Sequence, residues 1–160
     1  MNAFLGIGTN LGNREANIEE ALTRIEESLG EVLVSSSLYE TEPWGVESSN
    51  RFLNMVVYIR TELTPTTLLG RILMVEAQMG RVRDEEKNKQ RIIDIDILLY
   101  EDRIITEPSL TIPHPRLTER RFVLVPLCEI APDIVHPGKN KTFSQLLEAC
   151  QDKGEVIKFK

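Results

Sequence analysis

The stretch RIIDIDILLY occupies residues 91–100, and it is the most strongly β-branched segment of the chain. Ile93, Ile95 and Ile97 alternate with Asp94 and Asp96. Residues two apart on a strand share a face, so the two carboxylates stand together about 6–7 Å apart while the isoleucines point into a core. Like charges side by side are costly unless a cation answers them. Hard divalent cations take oxygen ligands, and magnesium usually shares its shell with substrate phosphates. The same pattern also reads as a solvent-facing polar stripe on a half-buried strand, and D-x-D alone does not separate the two.

Working outward, residues 3–9 (AFLGIGT) read as a short buried strand, and Asn10 to Asn13 form a turn in which Asn13 can cap a helix. Ile18, Leu22, Ile25 and Leu29 recur at helical spacing over residues 14–29, and Gly30 is a natural stop. Residues 32–40 are β-rich, 42–50 (EPWGVESSN) form a loop by composition, and 51–61 carry the run of a strand. Thr64 followed by Pro65 opens a helix that runs to about Met79 and ends at Gly80. With residues 92–100 the order is β-α-β-β-α-β, an α/β (α+β) arrangement of ferredoxin-like type. The remainder is rich in proline, with short strands and with helices expected near 116–127 and 142–150. A chain of 160 residues suits a single domain, residues 1–160.

Composition narrows the partners. No apolar run reaches the roughly 20 residues of a membrane span. Met1-Asn2-Ala3-Phe4 enters an apolar strand without a basic leader, so no signal peptide is expected. Cys128 and Cys150 form neither a metal-spaced cluster nor a disulfide framework, which points to a reducing cytoplasm. A net charge of −6 argues against long-range attraction to nucleic acid or an anionic membrane. Basic residues nevertheless crowd two segments: Arg81, Arg83, Lys87, Lys89 and Arg91, and then Arg116, Arg120 and Arg121. Arginine forks bind phosphate oxygens, and two carboxylates beside them describe a metal-polyphosphate site. The plainer reading of the first cluster is a solvated loop, since Asp84, Glu85 and Glu86 lie within it.

Other residues carry paired readings. His114, between Pro113 and Pro115, is either a phosphate contact or acid, or a turn histidine bonded to backbone. Asn54 interrupts an apolar strand and needs partners, which a heterocyclic amide edge or a neighbouring loop would supply. Phe52 shares its face and is either a bed for a flat ring or plain core, and Phe122 has the same two readings. Gly6 and Gly8 do not form a Walker loop, for the lysine is missing. His136 reads as structural.

The stretches IGTNLGNRE, YETEPWG, FLNMVV, EAQMGRVR, RIIDIDILLY, LTIPHPRLTERRFVLVPL and EIAPDIVHP together resemble the 6-hydroxymethyl-7,8-dihydropterin pyrophosphokinase family over nearly the whole chain. The resemblance implies diphosphate transfer from ATP to a hydroxymethyl-pterin in folate synthesis, with two magnesium ions held by Asp94 and Asp96. It implies a pterin pocket lined by Thr41, Pro43, Trp44, Phe52, Asn54 and Phe122. Glu76, Arg83, Lys87, Ile97, Thr111, His114 and Arg120 would hold the nucleotide. Arg81, Arg91 and Asp96 would act in the transfer, with lid segments at 42–50 and 82–90. The expected partners are small molecules only, acting on a monomer. Asn88-Lys89-Gln90-Arg91 departs from the W-G-P-R usual in the family lid, and phenylalanine replaces a frequent tyrosine at position 52. A two-metal nucleotidyltransferase and a binding module without catalysis are the competing classes. The first would want a Gly-Ser motif leading a helix, which is absent; the altered lid prompts the second.

Overall fold

The computed structural model describes residues 1–42, 51–81 and 92–160. Strand β1 (Asn2–Thr9) is followed by helix α1 (Arg14–Ser28), strands β2 (Glu31–Ser35), β3 (Tyr39–Thr41) and β4 (Phe52–Arg60), helix α2 (Pro65–Gln78) and strand β5 (Asp94–Tyr100). A hairpin of β6 (Ile105–Glu107) and β7 (Leu110–Ile112), a 3₁₀ turn at Leu117–Glu119, helices α3 (Arg121–Ile130) and α4 (Phe143–Ala149), and strand β8 (Val156–Lys158) complete the chain. The main sheet is antiparallel in the order β5-β1-β4-β3-β8, with β2 also pairing with β4. This is the ferredoxin-like order with its second strand divided in two.

The helix boundaries follow from local chemistry. Asn13 Oδ1 accepts from the Ala16 N–H, and Thr64 Oγ1 accepts from the Thr67 N–H ahead of Pro65 in the first turn. Thr142 and Gln145 form a capping box at α4. Gly80, at φ 89°, turns the chain out of α2 in a conformation that costs glycine little.

The expected single strand over 32–40 is broken at Ser36. The Ser36 hydroxyl accepts from the Val56 N–H at 2.9 Å and donates to the Ser37 carbonyl at 2.8 Å. A side chain thus takes over a ladder position, and the register shifts between Val32 and Val34. The Glu129 carboxylate of α3 then accepts from the Ser37 N–H, the Ser37 hydroxyl and the Tyr39 hydroxyl.

Two cores flank the sheet. Behind it, Leu5, Ile7, Met55, Val57, Ile95 and Ile97 pack against α1 and α2. In front, Phe4, Val56, Leu98 and Leu99 pack against α3 and α4. Among the described residues the front layer covers only part of its face, and the polar residues gather on the rest. Among the described residues no helix is long and apolar enough to cross a membrane.

Candidate functional site

The front face is laid out by strand register. Gly8 lies opposite Asn54 on one side and Asp94 on the other, and Gly6 lies opposite Val56 and Asp96. Glycines on the central strand leave this face bare between the amide and the carboxylates. A Cβ on Gly8 would come within 2.7 Å of Asn54 Oδ1, so the close approach of strand and amide requires a residue without one. The bare face floors a cavity of about 250 Å³, walled by Thr41, Phe52, Phe122, Arg116 and Arg120.

At one end, Asn54 is 8% exposed and donates through Nδ2 to Thr41 Oγ1 at 2.6 Å. With Nδ2 turned to Thr41, the Oδ1 atom lies on the Gly8 side. Phe52 and Phe122 stand with it, and the Arg120 guanidinium lies 5.5 Å from the centroid of the Phe122 ring.

At the other end are the carboxylates. Asp94 Oδ1 accepts from Arg81 Nη1 at 2.9 Å, and the same Nη1 donates to Glu76 Oε2 at 2.7 Å. Glu76, 2% exposed, also accepts the Ile95 N–H at 2.9 Å, so it is anchored to β5 between the two aspartates. Burial and the Asp94 charge push Asp96 up to about 7, against the pull of Arg120. Its side chain keeps 36% exposure towards the cavity, so water there tempers that shift. His114 is held down to about 4 by burial and by Arg120, and is neutral at pH 7. Its Nδ1 accepts the Arg116 N–H at 3.1 Å, which places the ring proton on Nε2, 4.0 Å from Asp96 Oδ2. A neutral ring at that distance makes no ion pair.

The cavity gathers Thr41, Phe52, Asn54, Phe122, Asp94, Asp96 and Arg120 from the sequence-predicted set. Arg81 and Glu76 stand behind the carboxylates, and His114 stands beside Asp96. Thr111 lies exposed on β7, away from the cavity lining. The Ile97 side chain is buried in the rear core, so only its main chain is available to a ligand in front. Pro43, Trp44, Arg83, Lys87 and Arg91, with most of both expected lid segments, lie outside the described residues. Sequence reasoning passed over Gly6, Gly8 and Arg116 as site residues. The glycines had a signal in their alternation with Leu5 and Ile7, and Arg116 in its basic cluster.

Among the described residues no three His, Cys, Asp or Glu side chains converge as a complete metal cage. Two carboxylates on one face do suit magnesium, which completes its shell with phosphate oxygens and water. The buried Nε atoms of Arg81 and Arg120 have no hydrogen-bond partner among the described residues, as befits groups beside an anionic ligand. The cavity therefore has an apolar, amide-bearing end for a flat heterocycle and a carboxylate-arginine end for metal and polyphosphate.

The chain is 45% identical over 138 residues to the 2-amino-4-hydroxy-6-hydroxymethyldihydropteridine pyrophosphokinase of Methylorubrum extorquens, covering 86% of this chain and 87% of that protein. It is 43% identical over 142 residues to the protein of the same name from Aquifex aeolicus, covering 89% and 88%. The folic acid synthesis protein fol1 of Schizosaccharomyces pombe matches at 40% identity over 95% of this chain, which corresponds to 21% of that longer protein. The fold is similar to the crystal structure of wild-type Plasmodium falciparum HPPK-DHPS with SDX-DHP, with a TM-score of 0.77 at 20% identity over 92% of this chain and 44% of that one. The profile of the 7,8-dihydro-6-hydroxymethylpterin-pyrophosphokinase (HPPK) family matches residues 4–132, and the chain belongs to that family.

Proposed function

We infer that this protein transfers the β,γ-diphosphate of ATP to the hydroxymethyl oxygen of 6-hydroxymethyl-7,8-dihydropterin, giving AMP and the pterin diphosphate for folate biosynthesis. The observation that carries the reading is the single cavity that joins an Asn54–Thr41 amide site and two phenylalanines to the Asp94–Asp96 pair and Arg120.

The pterin ring lies between Phe52 and Phe122, with its amide edge on Asn54, which also donates to Thr41. Pro43 and Trp44 are assigned to the same pocket. ATP lies along Arg120 and His114, with Glu76, Arg83, Lys87, Ile97 and Thr111 assigned to the nucleotide. Asp94 and Asp96 would hold two magnesium ions, which when bound would neutralise charge on the phosphates. Arg81, tied to Glu76 and Asp94, keeps a fixed positive charge beside the carboxylates, and Arg91 joins it in the transfer. The hydroxymethyl oxygen forms its bond to the β-phosphorus in line, the bond from that phosphorus to the α,β-bridging oxygen breaks, and AMP departs with the electron pair. The hydroxyl proton passes to Asp96 or, since a bound metal lowers the basicity of that carboxylate, to water instead. No phosphorylated enzyme is needed. Residues 1–160 act on these small molecules as one domain and as a monomer in the cytoplasm, the last supported by the two free cysteines.

The test resolves nucleotide products after mixing protein, ATP, magnesium and the pterin. AMP that requires both pterin and metal, and that disappears in Asp94→Ala, is the expected result. ADP, or free pyrophosphate with a nucleotidylated pterin, would overturn it.

A further inference from the structure

Arg14, the first residue of α1, touches three separate parts of the chain. Its Nη2 pairs with Glu40 Oε2 of β3 at 2.8 Å. Its Nη1 donates to the Arg51 carbonyl, just before β4, at 2.9 Å. Its guanidinium carbon lies 5.7 Å from the centroid of the Phe159 ring, beyond β8. Glu40 and Arg51 are the chain neighbours of Thr41 and Phe52, which face each other as the last pair of the β3–β4 ladder. Thr41 and Phe52 face the cavity, whereas α1 packs behind the sheet. Alternation along β3 therefore turns Glu40 rearward, where Arg14 meets it.

We propose that Arg14 is a positioning residue for the pterin end of the cavity, holding the β3–β4 terminus from behind so that Thr41 and Phe52 keep their spacing. A planar guanidinium presents its donors in a rigid fork that suits a carboxylate, a carbonyl and a nearby ring together, whereas a lysine ammonium on a flexible stem orders such contacts less well. The chain's own end joins this brace. Val156 of β8 pairs with Thr41, and Arg51 pairs with Glu155 at 3.2 Å. Removal of Arg14 leaves every cavity-facing side chain in place, but loosens the frame under two of them. Its effect falls on the pterin and not on the nucleotide, whose carboxylate-arginine end is built on β5, the end of α2 and the residue before α3.

This inference rests on the pterin reading of that end of the cavity. Its test measures dissociation constants for 6-hydroxymethyl-7,8-dihydropterin, in the presence of saturating α,β-methylene-ATP and magnesium, for wild type, Arg14→Met, Arg14→Lys and Glu40→Gln, with melting temperatures alongside. Arg14→Met is expected to weaken pterin binding about tenfold, equal to about 1.4 kcal/mol. Its affinity for the nucleotide analogue should stay within about twofold, and kcat at saturating pterin should change far less than KM. Arg14→Lys and Glu40→Gln should fall between wild type and Arg14→Met. Unchanged pterin affinity in Arg14→Met overturns the proposal, as does an equal loss of both ligands together with a lowered melting temperature. A wild-type protein that binds the nucleotide but no pterin would instead overturn the reading of the pocket, and the proposal with it.

Discussion

Replacing Gly8 with alanine puts a methyl carbon 2.7 Å from Asn54 Oδ1 and 3.7 Å from the Phe52 ring. The first distance is well inside van der Waals contact, so something must move. Asn54 cannot swing freely, because its Nδ2 is held by Thr41 at 2.6 Å. Nor can the strand retreat easily, since β1 is paired on both sides. Two responses remain. If the strands part slightly, the cost is that of overpacking, about 1–3 kcal/mol of global stability. If the amide rotates away, its bond to Thr41 breaks and a buried polar group is left unmatched, again about 1–3 kcal/mol. The second cost is felt where Asn54 meets ligand, so KM for the pterin should rise on the order of tenfold to a hundredfold. KM for ATP should change far less, because the three atoms nearest the added methyl belong to Asn54 and Phe52 and none to Asp94, the other neighbour of Gly8. Steady-state kinetics with each substrate varied, and a double-mutant cycle with Asn54→Ala, provide the assay. In the Asn54→Ala background the clash is gone, and Gly8→Ala should add little. A pterin KM that Gly8→Ala leaves untouched, or effects of the two substitutions that simply add, would refute the reasoning.

Asp96 retains its proton up to about 7 in the metal-free protein because of burial and Asp94. A raised carboxylate favours the fold below its unfolded value, and that contribution is lost as pH climbs through the folded value. Asp96→Asn should therefore be more stable than wild type near pH 8 in chelator, by about 1–2 kcal/mol after allowing for solvent screening, with the gap closing towards about pH 4 in denaturant titrations. Glu129 is shifted the other way. Burial raises it, but the bonds from the Ser37 amide, the Tyr39 hydroxyl and the Ser37 hydroxyl more than offset this and leave it below the usual range. Its contribution is present above the unfolded carboxylate value and is lost as pH falls through the lower folded one. Glu129→Gln should cost about 1 kcal/mol near neutrality and progressively less in acid, measured by thermal unfolding across pH.

Much of this was legible in residue order. Alternation placed Asp94 and Asp96 on one face and their isoleucine neighbours in the core, and Asn13, Thr64 and Pro65 announced their helices. Those signals are local, set by strand and helix periods and by a single capping side chain. What escaped depends on contacts between distant parts of the chain. Nothing near Ser36 says that its hydroxyl will stand in for backbone and split a strand, since the donor it satisfies is on Val56. The pairing of β8 with β3 joins residues more than a hundred positions apart. Glu76 enters the sequence reading through the family resemblance alone, because its ties to Ile95 and Arg81 are made only by the fold.

The cavity can be seen as unfinished interior. The front core of Phe4, Val56, Leu98 and α3 runs up to Gly6 and Gly8 and stops there, where two side chains that would have continued it are missing. A methyl on Gly6 would meet Leu98 at 3.5 Å, an ordinary contact, so the vacancy is not forced by crowding at that position. On the proposed reading the flat ring of the pterin would supply the layer the polypeptide omits, and packing would be complete only with substrate in place. Sequence changes that extend the core into this space would make a sturdier protein and an emptier enzyme.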